Sequence, residues 1–347
     1  MAISNYKLSF LPALLVLGAL AAAGAARVLP TAAPLSSMED RHDRWMAEHG
    51  KVYENGAEKA ARFEIFKSNM EHIESFNARK EKYWLGPNQF TDLTNQEFKI
   101  LYSAGYRPSS ASVSPATRFR HENATVEAAA SLDWRSKGAV TPIKDQGQCG
   151  ACWAFSAVAA IESINQIKSG KLVSLSEQEL IDCDVSGEDQ GCEGGLMDTA
   201  FKFIVDNHGI NSEANYPFAG QDGSCNSKKA SVSAVKISGF EDVPENNEAA
   251  LLKAVTGQPV SVAIDGGDPN FQSYADGIFT GPCDTKLDHA VTAIGYGTDA
   301  DGTKYWLVKN SWGTSWGNNG YFKMERDISS AEGLCGLAKQ PSYPTIN

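Results

Sequence analysis

The chain has 347 residues, 42% hydrophobic and 21% charged. That fits about two globular domains and a short extra segment, and it excludes a disordered polar chain or a multi-span membrane protein. A net charge of −11 excludes a general nucleic-acid binder, because neutralising phosphates needs a basic face. The imbalance is local: residues 128–347 hold 16 Lys and Arg against 28 Asp and Glu, whereas residues 1–127 hold 15 against 14.

Residues 1–26 read as a secretory signal peptide. Lys7 precedes an apolar run from Leu8, and Ala22-Ala23-Gly24-Ala25-Ala26 offers small residues for cleavage. The expected location is the secretory pathway, ending in a vacuole or lysosome-like compartment or outside the cell, with no membrane association once the signal is removed. Disulfides persist there.

Residues 27–37 form an Ala/Pro-rich leader, and residues 38–80 read as two helices. In the second, Glu58, Arg62, Phe66, Asn69, Ile73 and Asn77 recur every three or four residues and share one stripe. Four of those six residues are polar or charged, which suggests specific contacts. Gly86 to Asp92 is turn-like. Residues 107–131, rich in Ser, Ala and Pro, read as a linker open to proteolysis. Asn123-Ala124-Thr125 is the only N-x-[ST] sequon and a glycosylation candidate.

The second domain opens near Leu132-Asp133-Trp134. Cys152 to Lys168 reads as a buried helix closed by Gly170. Ser176 and Glu179 form a capping box that starts another helix. Later, Val260–Ile264, Ala290–Ile294 and Tyr305–Val308 read as strands between Gly-rich turns. Helices followed by strands predict an α+β domain with a cleft between its halves.

Cysteines occur only in this domain: Cys149, Cys152, Cys183, Cys192, Cys225, Cys283 and Cys335. Seven is odd, so six can pair and one remains. Cys152 stands at the start of the buried helix, where unpaired N–H groups favour a thiolate. A thiolate nucleophile needs a base. After residue 128 only His208 and His289 are available. His208 reads as a solvated helix end, and His289 enters a strand. Zinc would need about four clustered ligands, which the scattered cysteines and histidines do not supply. A dithiol redox site would need Cys149 free, in a small βαβ setting. One nucleophile with its neighbour bonded elsewhere fits the odd count best.

The motifs resemble those of papain-like cysteine proteases, of the cathepsin L-like plant type described as senescence-associated and vacuolar. Cys149-Gly150-Ala151-Cys152-Trp153 fits that family's nucleophile signature, with His289 and Asn310 downstream. The stripe from Glu58 to Asn77 and the run Gly86-x-Asn88-x-Phe90-x-Asp92 match its two propeptide motifs. The resemblance implies a two-lobed fold, with a helical left lobe and a β-barrel-like right lobe, behind a helical inhibitory prodomain. It implies a propeptide over 27–127, with inhibitor-type helices at about 38–98, and a peptidase domain over 128–347.

By the same resemblance, Cys152 is the nucleophile and His289 the acid/base, as a thiolate–imidazolium pair. Asn310 orients the ring and Trp312 shields that bond. Gln146 and the Cys152 N–H form the oxyanion hole. Gly194 and Gly195 bind the substrate backbone. Leu196, Met197, Ala263, Leu287, Ala290 and Gln340 line the pocket for the second residue before the scissile bond, with Leu, Val or Phe expected there and Gln340 a polar departure that narrows the pocket or admits a polar group; Asp288 and Trp312 also bind substrate. The implied disulfides are Cys149–Cys192, Cys183–Cys225 and Cys283–Cys335. The expected partners are protein and peptide substrates, the chain's own propeptide as inhibitor, and cystatin-like inhibitors, with a monomeric enzyme and no cofactor or metal. Loss of the acidic domain's charge at low pH predicts autoactivation in acid. A catalytically dead homologue would usually lack Cys152 or His289; both are present.

Overall fold

A computed structural model describes residues 37–107, 119–122 and 131–347. Asn123 and the expected signal peptide lie outside the described residues.

Helices α1 (Met38–Glu48) and α2 (Gly56–Asn77) open the fold. The Asn55 side chain caps α2 by accepting from the N–H groups of Ala57 and Glu58. The α2 stripe works as its composition suggested. Phe66 and Ile73 are buried. Arg62 donates to the Asp92 carbonyl and to Glu97, and Asn69 donates to the carbonyls of Thr91 and Leu93. Asn77 bonds both backbone groups of Leu85. The polar part of the stripe therefore satisfies the loop behind it. In this part of the chain two elements were not read from the sequence. One is the strand β1 (Tyr83–Leu85). The other is α3 (Asn95–Tyr102), which opens on a Thr94–Glu97 capping box.

After β2 (Leu132–Asp133), a helical layer follows: α4 (Cys152–Ser169), α5 (Glu177–Cys183), α6 (Met197–Asp206) and α7 (Ser227–Ala230). Every residue of α4 from Cys152 to Ile164 is buried, and the helix stops on Gly170 at φ 74°. Then come β3 (Gly239–Asp242), α8 (Glu248–Gly257), β4 (Val260–Ile264), α9 (Pro269–Gln272), β5 (Tyr274–Phe279), β6 (His289–Thr298), β7 (Lys304–Lys309), β8 (Tyr321–Glu325) and β9 (Ser342–Thr345).

The sheet runs β1-β5-β8-β7-β6-β4-β9-β3, with β2 also paired to β6. The β5–β8 pairing is parallel and the others are antiparallel. Two apolar cores result. One joins Trp45, Phe66, Phe76, Phe90 and Phe98 to the sheet-side aromatics Phe271, Tyr274, Trp312 and Trp316. The other packs α4 and α6. Three disulfides pin the fold: Cys149–Cys192, Cys183–Cys225 and Cys283–Cys335. The longest closes 52 residues; a loop of that size is worth about 4 kcal/mol through the unfolded chain in the chain-entropy account.

Candidate active site

The seam between α4 and the sheet carries the chemistry. Cys152 is the one free cysteine and the first residue of α4. Ala151 before it offers no side-chain cap, so the helix start leaves its N–H groups to the sulfur. Sγ also accepts from the Ala290 N–H at 3.4 Å, which sets it against the chain next to His289.

His289 opens β6 and pairs with Ile264 of β4. Its Nε2 donates to Asn310 Oδ1 at 2.8 Å. The same oxygen accepts from the Ser311 N–H at 2.8 Å, which fixes the amide's orientation. An amide oxygen can only accept, so the ring proton is on Nε2 and a neutral ring keeps its lone pair on Nδ1. Nδ1 is buried with no hydrogen-bond partner among the described residues. Trp312, fully buried, stacks on the imidazole with ring centroids 4.3 Å apart and keeps water from the His289–Asn310 bond. His208, by contrast, is exposed at the end of α6.

Gln146 is completely buried. Its N–H donates to the Ser311 carbonyl at 2.9 Å, and its Oε1 accepts from Ser311 Oγ at 2.6 Å. Its Nε2 donates to the Cys149 carbonyl at 3.0 Å. Ser311 was not singled out in the sequence. Its signal was only its place between Asn310 and Trp312.

Residues Gly105–Arg107 run through the seam. The Gly195 N–H donates to the Gly105 carbonyl at 3.1 Å, and the Arg107 N–H to the Gly195 carbonyl at 3.2 Å, a parallel bridge. On the other side, the Tyr106 N–H donates to the Asp288 carbonyl at 3.1 Å. Ser103 Oγ adds a bond to Asp288 Oδ1 at 3.1 Å. A Cβ on Gly194 would meet the Gly105 carbonyl at 3.0 Å, so a bare backbone lets the strap lie close. Tyr106 is buried in the same apolar cluster as Leu196, Met197, Ala263, Leu287 and Ala290. Gln340, half-buried, accepts from its hydroxyl at 2.7 Å. The residues expected to form one pocket thus share an apolar cluster with Tyr106, and Gln340 bonds its hydroxyl.

Burial opposes charge on both members of the pair in this covered form. It pushes the Cys152 thiol up, against the lowering pull of the Ala290 N–H. It pushes the His289 imidazole down, against the raising pull of Asn310. Asp288 is raised to about 7, mainly by burial.

Behind the seam lies a buried ionic group that sequence reading missed. Lys144 Nζ donates to Glu162 at 2.9 Å and to Glu177 at 2.7 Å. Thr141 Oγ1 donates to Glu162 at 2.5 Å and accepts from Lys309 Nζ at 2.8 Å. Glu162 lies on α4 and Lys309 ends β7, so the group ties the helix bearing Cys152 to the strand leading to Asn310. Among the described residues no group of three or more His, Cys, Asp or Glu is arranged to hold a metal ion. No described helix is long and apolar enough to cross a membrane.

Comparison with known proteins agrees with this geometry. The pattern of the papain family of cysteine proteases matches residues 128–345, and that of the cathepsin propeptide inhibitor domain (I29) matches residues 42–98. The chain is 62% identical over 312 residues to a senescence-specific cysteine protease, SAG39, of Oryza sativa subsp. japonica, covering 89% of this chain and 91% of that one. It is 54% identical over 316 residues to the senescence-specific cysteine protease SAG12 of Arabidopsis thaliana, covering 89% and 90%. Among solved structures, a recombinant stem bromelain precursor aligns with a TM-score of 0.81 at 48% identity, covering 89% of this chain and 99% of that one. The proform of the ragweed pollen cysteine protease Amb a 11 aligns at 0.82 with 40% identity, covering 89% and 95%.

Proposed function

This chain belongs to the papain family of cysteine proteases, and from that premise we propose how its own residues divide the work. It is a peptidase made as a zymogen, with an inhibitory propeptide domain in the same chain.

In the uncovered enzyme, His289 Nδ1 takes the Cys152 thiol proton, giving a thiolate and an imidazolium. The sulfur attacks the scissile carbonyl and its electron pair moves to oxygen. Gln146 Nε2, turned from the Cys149 carbonyl, and the Cys152 N–H hold that oxyanion. The imidazolium gives its proton to the leaving amine, which departs and leaves an acyl-enzyme. Water then loses a proton to Nδ1, attacks the thioester and frees the acid; Cys152 leaves as a thiolate. Asn310 keeps the ring in the competent tautomer throughout.

One observation carries this reading: the only free cysteine among the described residues sits on a helix start, bonded to the N–H that follows a histidine whose Nε2 is committed to Asn310. The test is peptide cleavage by acid-activated protein beside Cys152→Ala. Wild type should turn over, and the variant should lose at least about 10³-fold. A variant that cleaves as well as wild type would end the assignment.

The chain's processing follows the same reading. Residues 1–26 are removed as a signal, 27–127 are the propeptide, and 128–347 are the mature enzyme. The strap over Cys152 supports activation by propeptide removal, in acid. The names of the two plant relatives support protein turnover in senescence; the signal-like first 26 residues support a vacuole or the cell exterior as its place. The mature enzyme is a monomer, cystatin-like inhibitors enter the seam that the strap vacates, and Asn123 carries a glycan.

A further inference from the structure

We propose that Gln340 makes this enzyme select tyrosine as the second residue before the scissile bond, through a hydrogen bond from the phenol to Gln340 Oε1. The inference rests on the reading of the seam given above and refines its expected preference for Leu, Val or Phe.

The strap supplies the fitted side chain. Tyr106 is the residue paired with Gly195, the backbone position assigned to substrate. It is 6% exposed and shares its apolar cluster with Leu196, Met197, Ala263, Leu287 and Ala290. Those walls accept any apolar ring. The hydroxyl is different: it donates to Oε1 of Gln340 at 2.7 Å, across 234 residues of sequence. A leucine or phenylalanine there would fill the walls and leave Oε1 without that donor. A site built to bond a hydroxyl discriminates against the analogue that lacks it. Gln340 is half-buried rather than sealed. Water can partly replace the lost bond, so the expected discrimination is about tenfold, not the far larger factors of a closed site.

Acidic groups also face this end of the pocket. Asp198, Asp242 and Glu245 lie within electrostatic reach of the hydroxyl. A cationic side chain is therefore the rival occupant. Asp198 is raised to about 7, by burial first and Asp242 second, so in acid it is protonated and offers a cation little. That favours a neutral donor over Arg under the conditions of activation.

The test uses mature, active-site-titrated enzyme and four fluorogenic peptides that differ only at this residue: Tyr, Phe, Leu and Arg. The expected kcat/KM for Tyr exceeds that for Phe by about tenfold. Gln340→Leu should bring the Tyr-to-Phe ratio close to one. A fifth peptide with O-methyltyrosine, which cannot donate, should behave like Phe and needs no variant to fold. Phe equal to or better than Tyr, or Arg best of the four, overturns the inference while leaving the catalytic reading intact. Failure to cleave all the peptides would overturn both.

Discussion

Gly105 lies directly on Cys152: a Cβ built at residue 105 would stand 2.9 Å from Sγ and 2.4 Å from the Gly150 carbonyl oxygen. Only a residue without a side chain lets the strap pass this close to the nucleophile. Gly105→Ala should push the strap off the seam. The expected result is faster alkylation of Cys152 by iodoacetamide in the intact zymogen at neutral pH, by about tenfold or more. Unchanged alkylation would show that the strap does not control access.

Acid should loosen the strap and its anchor. His121 packs against Tyr343, with ring centroids 5.5 Å apart, and burial holds its imidazole below its ordinary range, assisted by Arg120. The docked state therefore resists protonation that the free segment accepts near pH ~6.5. Its contribution is present above that value and lost as pH falls through it. Burial of Glu241 would raise its carboxyl, but Tyr343 and Arg120 outweigh that and hold it low. Its contribution is present above the ordinary carboxylate range and lost at lower pH still. His42 and His49, lowered mainly by burial, add to the acid sensitivity of the α1 region. Asp288, raised to about 7 beneath Ser103, acts the other way and gains a proton while covered. Asp198, raised mainly by burial near Tyr106, acts as Asp288 does, and three histidines and Glu241 oppose the two. In the Cys152→Ala chain, amide protection over residues 103–107 and 119–122, corrected for the intrinsic pH dependence of exchange, should fall between pH 7 and 5, and His121→Gln should flatten the response. Protection that does not change with pH would refute it.

Ser311 should act through Gln146. Its hydroxyl is the donor that fixes the Gln146 amide oxygen. Ser311→Ala should lower kcat by about 10-fold with little change in KM, whereas Gln146→Ala should cost about 10²–10³-fold. Equal losses of kcat and 1/KM in Ser311→Ala would point to a collapsed seam rather than a loosened donor.

The buried ionic group predicts a stability effect. Lys309→Met removes the cation that faces Thr141 and, through it, Glu162. Burial disfavours the charge on Lys309 while Glu162 supports it. Lys309 donates to the Thr141 hydroxyl rather than to a carboxylate, and Glu162 keeps Lys144, so the loss is that of one hydrogen bond from a charged donor, about 1.5–3 kcal/mol. Urea unfolding of the Cys152→Ala chain should register a loss of that order; wild-type stability would show that the cation contributes nothing.

The sequence made local features legible and long-range ones opaque. The start of α4, its Gly170 stop and the strand around Val260–Ile264 follow from capping and periodicity. The odd cysteine pointed to Cys152, while the pairings of the other six came only through family resemblance. The three-residue β1 is too short to set a period and exists by pairing with β5, whereas α3 carried a readable Thr94–Glu97 capping box that was overlooked. Ser311 bonds Gln146 across 165 residues and Tyr106 bonds Gln340 across 234. No local period encodes such meetings. The surroundings of Cys152 were equally hidden, because Gly105, far away in sequence, lies against its sulfur.

The strand β1 extends the peptidase sheet by pairing with β5, Tyr83 opposite Gly277 and Trp84 opposite Asp276. Once the segment carrying β1 departs, β5 keeps β8 on one flank and bares the amides and carbonyls of its other. Such a naked margin invites a foreign strand to dock. Asp276 on that margin makes a second copy of this acidic chain an unwelcome guest, so maturation trades an internal tenant for a charged frontier.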